Sequence, residues 1–89
     1  MAAPTYVAHI DVMLKPLVND PQGLAVRDGL HNLGFEGVEG VRVGKRVVVR
    51  LAAADRAAAD DAVRGMCERL LSNPVIEDFT FELAEAATA

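Results

Sequence analysis

The chain has 89 residues, 52% of them hydrophobic, enough for one compact domain and too few for two. Its single cysteine excludes an internal disulfide or a thiolate zinc cluster, fits a reducing compartment, and leaves oligomerisation as a source of extra burial. A net charge of -4, one tyrosine, three phenylalanines and no tryptophan oppose nucleic-acid binding. No segment approaches the roughly 18 apolar residues of a membrane span, and the N-terminus lacks a basic stretch followed by an apolar run, so the expected location is cytoplasmic.

Residues 5–14, TYVAHIDVML, alternate as a strand does. Ala8, Ile10, Val12 and Leu14 share one face, while Val7, His9, Asp11 and Met13 share the other. The second face is not cleanly polar, which suggests partial cover. The run then breaks at Asn19-Asp20-Pro21 and resumes with helical spacing to about Leu33. Asp20 is placed to cap the helix and Pro21 to begin it, where no N–H is needed. Val26, Leu30 and Leu33 form the expected apolar stripe, with Gly29 beside it allowing close approach to a sheet and Gly34 ending the helix in a left-handed conformation. Arg27, Asp28 and His31 are expected to face out.

Residues 38–51, VEGVRVGKRVVVRL, contain Gly44-Lys45, a candidate two-residue hairpin turn. Side-chain parity argues against the turn. It would oppose Val43 to Arg46 and Arg42 to Val47, yet directly opposed residues share a face. Read as one strand bent at Gly44, the segment keeps Val41, Val43, Val47, Val49 and Leu51 on one face and Arg42, Arg46 and Arg50 on the other, with Lys45 alone out of place. Such a strand spans roughly 45 Å, whereas a domain of this length has a radius of gyration near ~12 Å. Part of it is therefore expected to pair outside its own chain.

Asp55 is expected to cap a second helix reaching about Leu71. Ala59, Ala62, Val63, Met66 and Leu70 point inward, Cys67 lies at the margin, and Arg56, Asp60, Arg64 and Glu68 form a solvated ladder. Asn73-Pro74 stops that helix. In the last strand, 76–83, Phe79, Phe81 and Leu83 point inward and Asp78, Thr80 and Glu82 outward. The ordered core is thus 5–83 of a single domain, 1–89, and 84–89 form a flexible tail. The fold class is α+β: a small antiparallel sheet with two helices on one face, in the order strand, helix, long bent strand, helix, strand, oligomerising through the sheet.

Catalytic chemistry is not visible. His9, His31 and Cys67 have no zinc-ligand spacing, and Ser72 is the sole serine, with no histidine near it in sequence. The pairs Asp60-Asp61 and Glu77-Asp78 splay apart as sequence neighbours do. NDPQG, 19–23, has one glycine, no following lysine and an acidic cap, so it reads as a helix start and not as an anion loop. No catalytic, cofactor-binding or metal residue is assigned. The basic stretch is different, because bend and charge coincide there: Arg42, Gly44, Lys45 and Arg46 are the candidate partner-docking residues.

The ordered segments LKPLVNDPQG, L-x-x-LG, VEGVRVGK and MCERLLSNPVIEDF together resemble the family of PurS, the small subunit of phosphoribosylformylglycinamidine synthase, from about Thr5 to Leu83. Asn19 stands where that family usually carries an aliphatic residue, and Phe79 where it often carries tyrosine. The resemblance implies a non-catalytic bridging subunit in the fourth step of de novo purine synthesis. There a PurL-type synthetase subunit uses ATP and ammonia to convert formylglycinamide ribonucleotide to the amidine, and a PurQ-type glutaminase subunit supplies the ammonia. It implies a homodimer or dimer of dimers, no cofactor on this chain, and ATP, Mg and glutamine used by the complex. A small-molecule-sensing regulatory domain of ferredoxin-like type is the alternative, but its glycine-rich loop after the first strand is missing.

Overall fold

The computed structural model describes residues 3–86. Three strands, β1 (Thr5–Leu14), β2 (Gly44–Ala52) and β3 (Glu77–Glu85), form an antiparallel sheet in the order β2-β1-β3. Two helices, α1 (Pro21–Asn32) and α2 (Arg56–Met66), complete the α+β fold, with α2 continuing as a π-helical turn, Cys67–Leu71. The register sets Ala8 opposite Val49 and Leu83, and Ile10 opposite Val47 and Phe81. The alternation in the sequence thereby becomes one apolar face across all three strands. Tyr6, Ala8, Ile10 and Val12 are buried beneath α2, whose Ala59 and Val63 are buried with Cys67. Val47, Val49, Leu51, Phe79, Phe81 and Leu83 pack around this core and stay half-buried. On the opposite face Val7, His9 and Asp11 are only shaded by their strand neighbours.

The π-turn adjusts the register of α2. Ser72 N–H donates to the Cys67 carbonyl at 2.9 Å across five residues, and the Ser72 hydroxyl donates to the same oxygen at 2.8 Å. The wider turn carries Cys67 into the core and leaves Leu71 half-buried, while Leu70 is 82% exposed. Uniform 3.6-residue spacing had put Leu70 inside and Cys67 at the margin. Of the expected surface ladder, Arg64 pairs with Asp60 at 3.5 Å and lies 5.2 Å above the Phe81 ring. Arg56 donates to the Leu83 carbonyl. These contacts set α2 toward the β3 side of the sheet.

The first helix starts and stops as the sequence predicts, but it does not pack on the sheet. Gly23 is its one buried residue, nothing lies within 4 Å of a Cβ built on Gly29, and Leu33 is 75% exposed. The faces are reversed. Residues 38–43 return along the side carrying Leu24, Arg27 and His31, where His31 Nε2 donates to the Val38 carbonyl at 2.7 Å. The stripe of Val26, Leu30 and Leu33 is turned away from the sheet. This arm makes the chain 57 × 32 × 15 Å, with a radius of gyration of 17.2 Å against about 12 Å for a compact domain of this length.

No hairpin forms at Gly44-Lys45, as parity requires. The predicted strand 38–51 is nonetheless shorter within the chain, because pairing begins at Gly44 and 38–43 belong to the arm. Gly44 marks the change, since a Cβ there would collide with the Met13 side chain and the Val12 carbonyl. At the other end β3 runs through Glu85, so Ala84 and Glu85 lie in the sheet; 87–89 of the expected tail lie outside the described residues.

Candidate docking surface

The basic stretch sits where the arm joins the sheet, and a buried carboxylate fixes that junction. Asp20 caps α1 by accepting from Gly23 N–H at 2.9 Å, and its second oxygen accepts from Val43 N–H at 2.9 Å. These two backbone donors, Val43 first, hold its carboxyl below the usual range, and the Arg42 guanidinium adds to the effect against the cost of burial. Gly23 is needed at this point because a Cβ would strike the Val41 carbonyl. Arg42 completes the clasp, its Nη2 donating to the carbonyls of Lys15 and Val18 at 2.9 Å each. NDPQG is thus more than punctuation: it ties the start of α1 to the segment leading into β2.

The four docking candidates lie together in the chain, but their side chains diverge. Arg42 is engaged in the clasp and Gly44 is pressed on β1. Lys45 lies opposite Val12 and Arg46 opposite Asp11, so the two cations occupy opposite faces of the sheet. Lys45 is exposed and keeps the parity of the apolar face without leaving it. It borders an open cleft of about 280 Å³ that Asp20, Gln22 and Glu77 also line. Arg46 donates from Nε to Asp11 at 2.9 Å, and that hydrogen bond raises its already high pKa. Arg46 and Arg50 share the open face, whereas Arg42 has left it, so the arginine stripe does not form a single row.

The remaining candidates stay apart. His9 is on the open face between Val48 and Glu82, His31 is on the arm, and Cys67 is in the core, where burial pushes its thiol up. Among the described residues no group of three His, Cys, Asp or Glu side chains is arranged to hold a metal ion. No helix among the described residues is long and apolar enough to cross a membrane. The Asp20–Val43 and Arg42–Val18 contacts are long-range geometry that sequence reasoning missed, since the residues at 20–23 and 40–46 carry no local signal of pairing with one another.

A family model for PurS, described as phosphoribosylformylglycinamidine (FGAM) synthase, matches residues 7–85. The chain belongs to the PurS family. It is 46% identical over 79 residues to the phosphoribosylformylglycinamidine synthase subunit PurS of Synechocystis, which covers 89% of this chain and 79% of that protein. The PurS structure of Thermus thermophilus superposes with a TM-score of 0.83 at 39% identity, covering 94% of this chain and all of that one (100%). A chain in the structure of PurLQS from Thermotoga maritima matches with a TM-score of 0.80 at 31% identity, covering 93% and 99%. Family membership sets aside the small-molecule sensor as the reading of this fold.

Proposed function

We propose that this chain is the bridging subunit of a phosphoribosylformylglycinamidine synthase, acting in the cytoplasm in de novo purine synthesis. The observation that carries the proposal is its near full-length likeness to a chain of the PurLQS assembly. A PurL-type subunit binds ATP with Mg and forms the amidine; a PurQ-type subunit releases ammonia from glutamine. The bridging chain, a homodimer or dimer of dimers, performs neither reaction and holds the two sites in register. Water kept out between them preserves ammonia as the free nucleophile.

Arg42, Gly44, Lys45 and Arg46 form the docking region for one of these subunits. The reading is supported by the exposure of Lys45 beside the clasp and by the rigidity that Asp20 gives the junction. Cations on such a rim act mainly on association rate and its salt dependence. Reconstitution tests the function. The isolated chain should show no glutaminase, ATPase or amidine-forming activity, and adding it to the synthetase and glutaminase should restore glutamine-dependent turnover. Ammonia-dependent turnover by the synthetase alone should need it less. Glutamine hydrolysis by the purified chain alone would refute the assignment.

A further inference from the structure

The connection from β1 to α1 and the turn leading into β3 meet at one end of the sheet and expose apolar side chains there. Leu17 is 100% exposed, Leu70 82% and Val75 79%. Lys15 N–H donates to the Ile76 carbonyl at 2.8 Å, which ties the connection carrying Leu17 to the turn carrying Val75. The turn is also braced from within. The Asn73 carbonyl accepts the N–H groups of Ile76 and Glu77 at 3.1 and 2.7 Å, and its side-chain oxygen accepts that of Val75 at 3.1 Å. Asn73 N–H in turn donates to Glu77 Oε1 at 2.7 Å. Val75 is therefore held out in water by an ordered turn, and a loop ordered beforehand loses less entropy when a partner covers it.

An open cleft of about 630 Å³ adjoins this turn, lined by Lys15, Glu68, Pro74, Glu77, Asp78 and Phe79. Three carboxylates face one ammonium, so the charge of the lining is negative, while Pro74 and the half-buried Phe79 supply its apolar part. Glu77 also lines the cleft beside Lys45. Lys45 lies opposite Val12 on one side of β1 and Glu77 opposite Leu14 on the other. The basic stretch 42–46 and the acidic cleft thus flank the same end of one strand.

We infer that the Leu70–Val75 end is a second docking surface, and that its occupant is a segment of the partner subunit not held by the basic stretch, one carrying apolar side chains beside lysine or arginine. Its apolar groups cover Leu70 and Val75, and its cations meet Glu68 and Asp78, which gives the apolar centre and charged rim of a specific contact. The carboxylates select against an acidic partner and speed the encounter with a basic one. Because the two surfaces share Glu77, the two partners come to lie side by side and not at opposite ends of the chain. The inference rests on the bridging reading and supplies its second contact.

Val75→Lys and Glu68→Lys test it. Both residues are exposed, so the circular dichroism and melting temperature of the free chain should match those of the parent. Binding of the full chain to each immobilised partner subunit is measured by surface plasmon resonance with glutamine, ATP and Mg present. Both substitutions should weaken binding to one partner by on the order of tenfold and leave the other unchanged, with Lys45→Glu showing the opposite preference. With a parent chain that binds both subunits, unchanged affinity of the two variants overturns the inference alone, as does a loss shared equally between the partners. An altered size of the free variants in sedimentation equilibrium overturns it too, because the patch would then belong to contacts between copies. A parent chain that binds neither subunit refutes the bridging reading and the inference with it.

Discussion

The carboxylate of Asp20 accepts the backbone N–H of Val43 at 2.9 Å, joining the first turn of α1 to the residue that precedes β2. One side chain thereby performs a local task, capping a helix, and a long-range one, fixing the direction in which the arm leaves the sheet. Asp20→Ala removes both acceptors and should lower the melting temperature by on the order of 5 °C. Asp20→Asn keeps one carbonyl oxygen and should fall between the two. Calorimetry of the three chains orders them.

The same contact gives stability a pH dependence of known sign. The folded-state pKa of Asp20 lies below its ordinary value of 3.8, so the unfolded chain binds the proton first and its contribution is complete above that value. It is lost as pH falls from about that ordinary value through the lowered folded pKa. Acid titrations followed by circular dichroism should show a shallower slope below the ordinary aspartate pKa in Asp20→Asn than in the parent.

Lys45 and Arg46 lie on opposite faces of the sheet, so their single substitutions separate the two faces of the proposed docking region, which a double mutant would merge. Lys45→Glu should weaken assembly with the partner subunits, most strongly at low salt, and leave the melting temperature of the isolated chain nearly unchanged. Arg46→Glu additionally places a carboxylate opposite Asp11 and should lower the melting temperature slightly. Normal association of the Lys45 variant with both partners would remove the cleft beside Asp20 from the docking region.

Core energetics should concentrate on β1. Ile10 is fully buried between Val47 and Phe81, and Ile10→Ala should cost about 2–5 kcal/mol, a large share of the ~5–15 kcal/mol that holds a domain folded. Urea titration measures it. Cys67, buried and with its thiol pKa raised, should react with a thiol reagent only as the chain unfolds, so labelling in native buffer should track the urea transition.

The parts of this fold that were legible in the sequence rest on local chemistry. Alternation gave β1 with correct faces, Asp20-Pro21 and Asp55 gave both helix starts, and Gly34, at φ 97°, gave the left-handed end of α1. Parity correctly rejected the hairpin at Gly44-Lys45. What failed was tertiary placement. An apolar stripe states that Val26, Leu30 and Leu33 seek cover, but not which surface supplies it, and the chain's own sheet does not. The π-turn was equally hidden, because a one-residue change of spacing at Cys67 alters no propensity in its neighbourhood. Of the docking candidates, the segment was legible from its charge and glycine. The clasp role of Arg42 was not, since its acceptors are carbonyls 24 and 27 residues away.

The order of the strands bears on how the chain is made. β1 precedes β2 and β3 in the chain and lies between them in the sheet, paired with both, and β3 is completed only at Glu85. During translation the centre strand can acquire its β2 neighbour, but its other edge stays unpaired until β3, through Glu85, has left the ribosome. The nascent chain thus carries an open apolar strand edge until β3 emerges. Deleting β3 would make that exposure permanent, so such a deletion should appear first as aggregation during expression and only then as lost assembly.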